Sequence, residues 1–156
     1  MLRRTFIKWA GLSLAATALA PSAFSAEEKK QIVGANAMKF TDALNKATGG
    51  KTASESSKIK LTAPEIAENG AVVPVKVEVD SPMTDKDYVK RIHVFAAKNS
   101  NARCAAIELT PANGKAYFAT RLKLGGTQEV VAVAELSDGT FIQAKQSVKV
   151  TIGGCG

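Results

Sequence analysis

Val73, Val75, Val77 and Val79 occupy every second position of one short run, with Lys76 and Glu78 between them. A period of two sends successive side chains to opposite faces of an extended chain, so the run reads as a strand with one buried face. The same period governs the chain from Ile59 onward. Ile92, Val94 and Ala96 alternate with His93 and Phe95, and this run too reads as half-buried. Arg103 to Leu109, Ala116 to Leu124, Glu129 to Leu136, Thr140 to Ala144 and Ser147 to Ile152 carry β-branched or aromatic residues between turn residues. Asn69-Gly70, Asn113-Gly114 and Asp138-Gly139 are the turn signals, and the last predicts a tight hairpin. Seven or eight strands at this spacing predict an all-β fold, an immunoglobulin-like antiparallel β-sandwich over residues 58–152.

Ahead of the strands the period changes. Val33, Ala37, Phe40, Leu44 and Ala47 recur every three or four residues from Ile32, which predicts a helix that Gly49-Gly50 stops. Lys51 to Ser57 is small and polar and reads as a linker, so residues 27–57 form an N-terminal helix and linker. A helix this short is not stable alone, and its apolar stripe is expected to pack on the domain or on a partner subunit.

Residues 1–26 have the form of a signal peptide. Arg3-Arg4 with Phe6 and Lys8 precede an alanine-rich apolar run from Trp9 to about Phe24, and Ser25-Ala26 then meet Glu27-Glu28-Lys29-Lys30. The apolar run is too short for a membrane span. Arg3-Arg4-Thr5-Phe6-Ile7-Lys8 is similar to a twin-arginine signal, which directs export of folded proteins to the periplasm. Removing this segment takes away three basic residues and no acidic ones, and lowers the formal net charge from +7 to +4. The remaining basic side chains are scattered singly without aromatic interleaving, which argues against nucleic acid as a partner and suits small anions or an acidic partner. At about 130 residues the mature chain has room for one core.

Counting excludes most catalytic chemistry. His93 is the one histidine of the chain, so a zinc or copper cluster lacks its ligands, and no glycine loop opens a helix after a strand. Neither a metal nor any other cofactor is expected, and the chain does not read as an enzyme by itself. The remaining chemistry lies at the tail, where Val148, Val150 and Ile152 end a strand and Gly153-Gly154-Cys155-Gly156 follows. Glycines pay the largest ordering entropy, so residues 153–156 read as a mobile arm presenting one thiol. Extended, four residues reach roughly 14 Å, enough to enter a partner's cleft. The nearby terminal carboxylate disfavours the thiolate, so activation of Cys155 has to come from a partner. The alternative is a passive exported binding subunit stapled by a Cys104–Cys155 disulfide, the default pairing for two cysteines in an oxidising compartment.

The ending Val148-Lys149-Val150-Thr151-Ile152-Gly153-Gly154-Cys155-Gly156 resembles the C-terminal signature of the SoxY family, the sulfur carriers of the Sox thiosulfate-oxidising system. Ala63-Pro64-Glu65-Ile66-Ala67-Glu68-Asn69-Gly70 followed by Val73-Pro74-Val75 is similar to the family's first strand entry. Thr120-Arg121-Leu122 with Thr127-Gln128 is similar to its middle, and Ser137-Asp138-Gly139 to its late hairpin. The resemblance implies Cys155 as the sulfur attachment site, with Gly153, Gly154 and Gly156 as the carrier arm. It also implies a SoxZ-like subunit as heterodimer partner, a haem-containing enzyme that conjugates thiosulfate to the cysteine, a sulfate-releasing hydrolase, and a sulfur dehydrogenase as a further candidate. Two features depart from the family pattern. One glycine, not two, follows the cysteine, and Asn99-Ser100-Asn101-Ala102-Arg103-Cys104 lacks a proline after the asparagine and adds a cysteine. Cys104 reads as a small buried strand residue, or else as a trap for Cys155 in a resting disulfide.

Overall fold

The computed structural model describes residues 36–154. The expected signal peptide, Ile32 and Val33 of the expected helix, and Cys155 and Gly156 lie outside the described residues. A helix, α1 (Phe40–Thr48), precedes nine strands among those residues: β1 (Ala53–Glu55), β2 (Ile59–Thr62), β3 (Ile66–Asn69), β4 (Val73–Val79), β5 (Val89–Ala96), β6 (Arg103–Glu108), β7 (Ala116–Leu122), β8 (Gln128–Leu136) and β9 (Phe141–Ile152). Two sheets face each other, β2-β4-β7 in one and β1-β9-β8-β5-β6 in the other, with β3 added beside β9. This is the expected immunoglobulin-like β-sandwich, with one departure: β1 and β3 both run parallel to β9.

The alternation of β4 does what the sequence asks. Val73, Val75, Val77 and Val79 are buried, while Pro74, Lys76 and Glu78 are exposed. Each buried valine is worth about 1.5–3 kcal/mol, so a one-residue slip would expose all four and bury two charges. Register is therefore strongly specified. Pro74 is tolerated because β2 pairs only with Lys76–Val79, which leaves position 74 paired on one side, with Arg121 of β7. The four valines meet Ile92, Val94, Val130, Ala132 and Ala134 of the opposing sheet in one core.

β5 and β8 depart from the half-buried expectation. Every residue of Ile92–Ala96 and of Val130–Ala134 is buried, because the second face of this sheet is also covered. Phe95, Val131, Val133 and Phe141 meet Ala43, Phe40, Leu44 and Ala47 of α1 there. Phe40 approaches Phe95 edge to face at 6.0 Å. The helix is shorter than its apolar stripe. Met38 donates its N–H to Ser100 O (3.0 Å) and accepts from Ala102 N (2.9 Å), so its backbone is committed to a bridge with the β5–β6 connection. Helix hydrogen bonding cannot use the same groups, and Ala37 stays outside. Gly49, in the left-handed region at φ 61°, ends it.

Two further expectations shift. The segment read as a linker holds β1, paired with Phe141–Gln143 of β9, since a three-residue edge strand needs backbone partners and no apolar pattern. The two runs around Lys145 form one strand, whose Gln146 amide clips the loop at Ala63 through its N–H and its carbonyl. At the expected hairpin Gly139 takes φ 80°, and the Asp138 carboxylate accepts from Thr140 Oγ1 (2.6 Å) and Thr140 N (2.9 Å). Those bonds hold the carboxyl below its usual range.

His93 lies on the helix-covered side, stacked on Phe95 at 5.9 Å and 2 % exposed, and neither ring nitrogen has a hydrogen-bond partner. Burial pushes its pKa down to about 4, and repulsion from Arg103 and Arg91 adds to this. The folded state thus prefers the neutral ring more than the unfolded chain does. Stability is complete above the unfolded value near 6.5, is lost as pH falls from there to about 4, and levels off below. Urea midpoints of a His93→Leu variant compared with the parent at pH 7.5, 5.5 and 4 are expected to show the parent losing up to about 3 kcal/mol more than the variant.

Candidate functional site at the base of the C-terminal arm

β9 carries the chain to Ile152 along β3, and Gly153 and Gly154 follow. Three backbone hydrogen bonds then join segments far apart in sequence. Gly70 N donates to Ile152 O (2.8 Å), Leu124 N to Gly70 O (2.7 Å), and Gly154 N to Leu124 O (2.8 Å). Thr127 adds a side-chain contact one turn of the ladder earlier, its Oγ1 accepting from Val150 N (3.0 Å). The arm expected to be free from Gly153 is thus held through Gly154 by its neighbours.

Glycine is needed here for closeness. A Cβ on Gly154 would stand 2.6 Å from Ala71 N and from Gly70 C, and one on Gly153 would stand 2.5 Å from Gly125 O. A Cβ on the buried Gly70 would stand 2.7 Å from Gly154 N and would also strike Leu124 O. Sequence reasoning assigned Gly70 to a turn and missed its role as the middle rung of this ladder. The signal, Asn69-Gly70, was visible, but its distant partner was not. Of the expected site residues, Gly153 and Gly154 stand at this junction, while Cys155 and Gly156 lie outside the described residues.

Cys104 occupies a different environment. It is the extra residue of a bulge in β6, between the pairs Arg103↔Phe95 and Ala105↔Val94. Its thiol is free, half-buried against the core, donates to Ala102 O (3.6 Å) and accepts from Asn99 Nδ2 (3.9 Å). Burial pushes its pKa up to about 11, and hydrogen bonds from the Ala96 backbone and Asn99 offset only part of that. Such a thiol is protonated at neutral pH and a poor nucleophile. Cys104 is thus a strand residue, as read, but one half-buried in a bulge and not fully buried. Among the described residues no group of three or more His, Cys, Asp or Glu is placed to hold a metal ion, and no helix is long and apolar enough to cross a membrane.

The fold is a two-layer β-sandwich in which the segment after β9 is anchored at a glycine pair. The family model for "sulfur oxidation protein SoxY" matches residues 44–155. Among solved structures, the sulfur carrier protein SoxY from Chlorobium limicola f thiosulfatophilum is 33% identical, with a TM-score of 0.62 over 73% of this chain and 97% of that one. The chain belongs to the SoxY family, a family of sulfur carriers in sulfur oxidation. A putative superoxide reductase from Thermotoga maritima (18% identity, TM-score 0.55, 72% of this chain and 98% of that one) shares the fold alone. So does a superoxide reductase from Ignicoccus hospitalis (17%, 0.51, 62% and 82%). A comparison with curated protein sequences gives no match.

Two outcomes check this geometry. Gly70→Ala forces an added methyl against backbone on two sides and is expected to cost about 1–3 kcal/mol in urea unfolding. In a Cys155→Ser background, iodoacetamide at pH 8 is expected to alkylate Cys104 at least about 100-fold more slowly than a free thiol of ordinary pKa, read by mass spectrometry.

Proposed function

We propose that this chain is a covalent carrier of sulfur intermediates in periplasmic thiosulfate oxidation, with the Cys155 thiol as the attachment point. The observation that carries the reading is the anchored Gly153-Gly154 pair. It ends one residue short of Cys155, while Cys104 is half-buried and held protonated. In this reading the thiol of Cys155 directly follows a fixed point in the chain, while that of Cys104 is withdrawn from chemistry.

Loading is an oxidation. The Cys155 sulfur bonds to the outer sulfur of thiosulfate, one proton leaves the thiol, and two electrons pass to a haem-containing partner, giving a cysteine S-thiosulfonate. Water then cleaves the bond to the sulfonate group in a hydrolase. Sulfate departs and a persulfide stays on Cys155, to be oxidised further by a sulfur dehydrogenase or passed on. The carrier supplies no acid or base to these steps; its contribution is presentation. A SoxZ-like subunit completes a heterodimer in this reading, and the twin-arginine segment exports the folded pair. Exposed Lys60, Lys76 and Arg121 on the outer face of the β2-β4-β7 sheet suit docking to acidic partner surfaces.

Trypsin separates the two cysteines, because cleavage after Lys149 isolates Val150 to Gly156 and cleavage after Arg103 puts Cys104 on another peptide. After incubation with thiosulfate and the oxidising partner, the terminal peptide is expected to gain a reducible sulfur adduct that Cys155→Ser cannot gain. A terminal peptide found only as a disulfide to the Cys104 peptide, and inert to thiosulfate, would instead establish the stapled binding subunit.

A further inference from the structure

Gln128 opens β8 ahead of the apolar stretch Val130–Ala134 and is 3 % exposed. A buried amide is costly unless its hydrogen bonds are met, and these are. Its Oε1 accepts from Lys98 N (2.8 Å), and its Nε2 donates to Asn99 Oδ1 (2.8 Å) and Gly126 O (3.2 Å). Asn99 is used as fully. Its Oδ1 also accepts from Gly125 N (3.1 Å), and its Nδ2 donates to Lys123 O (2.7 Å). The two side chains therefore grip residues 123, 125 and 126 from behind. Between those points sits Leu124, whose N–H and carbonyl form the rungs to Gly70 and Gly154.

None of these bonds belongs to the pairing of the sheets. Their joint effect is to fix the direction of one carbonyl, and that carbonyl receives the last described N–H before the carrier cysteine. We propose that Asn99 is a positioning residue for the carrier thiol, acting with Gln128 through Leu124 and Gly154 to fix the point from which Cys155 is offered. The inference rests on the carrier reading above. Cys155 directly follows the anchored Gly154, and one extended residue spans at most about 3.5 Å, a quarter of the reach of a four-residue arm. A thiol on so short a lead depends on where the lead begins. A carrier whose anchor is formed only part of the time binds its client more weakly in proportion to that fraction, with little change in the chemical step.

The test uses Asn99→Ala in the full mature protein with its partners. The Gly154 amide, read by NMR hydrogen exchange, is expected to exchange at least about 10-fold faster, while the Val94 and Ala132 amides of the central strands keep their protection. In loading by the haem-containing partner, KM for the carrier is expected to rise about 3- to 10-fold with kcat within about twofold. Asn99→Asp keeps the two accepted hydrogen bonds but sets a carboxylate oxygen against Lys123 O in place of the donated one, and is expected to recover only part of the loss. Gly154→Ala breaks the same contact from the arm side with the amide pair intact, and is expected to raise KM similarly even if Asn99→Ala proves too unstable to purify. Unchanged Gly154 exchange in Asn99→Ala, or unchanged KM in Gly154→Ala, overturns the proposal. A parent protein that takes up no sulfur overturns the carrier reading and the positioning role with it, and the amide exchange then reports on the anchor alone.

Discussion

One strand holds the molecule together at its most consequential point. β9 pairs with β8 along eight positions from Phe141 to Val148, and its other edge takes up β1 near its start and β3 near its end. An edge strand would offer unpaired backbone to other chains. Here β9 has a strand partner along nearly its whole length, on both edges at Phe141–Gln143, from β8 as far as Val148, and from β3 between Lys149 and Ile152. Gly153 and Gly154 inherit their direction from that pairing.

The sandwich was legible because its signal is local. The valines of β4 announce one buried face by themselves, and the structure begins and ends that strand where the pattern does. β5 was misjudged because burial of His93 and Phe95 depends on a helix more than forty residues upstream, which no alternation within β5 encodes. The helix start was misjudged for a related reason. Met38 fits the apolar stripe, but its backbone is claimed by Ser100 and Ala102.

The tail shows the same limit more sharply. Glycine in sequence signals freedom or closeness alike, and only tertiary contact separates the two. At Gly153 and Gly154 the neighbours are other backbones, so the residue type was anticipated and its physical reason was not. Asn99 was noticed only for a missing proline, and Gln128 only as part of a resemblance. Their work is done across a junction of three segments. The contrast between the cysteines was partly readable, since a strand residue is expected to be buried, but the size of the shift at Cys104 follows from its place in a bulge against the core.

On the carrier reading, an anchor directly before Cys155 also has a consequence for whatever meets it. A long tether lets a client stay at a distance and take the cargo alone. A short one brings the client down onto the rim formed by residues 69–72 and 123–126, where Val72 stands exposed. Enzymes of unrelated architecture would then have to share one footprint, and the rim, more than the cargo, would decide which of them can take turns.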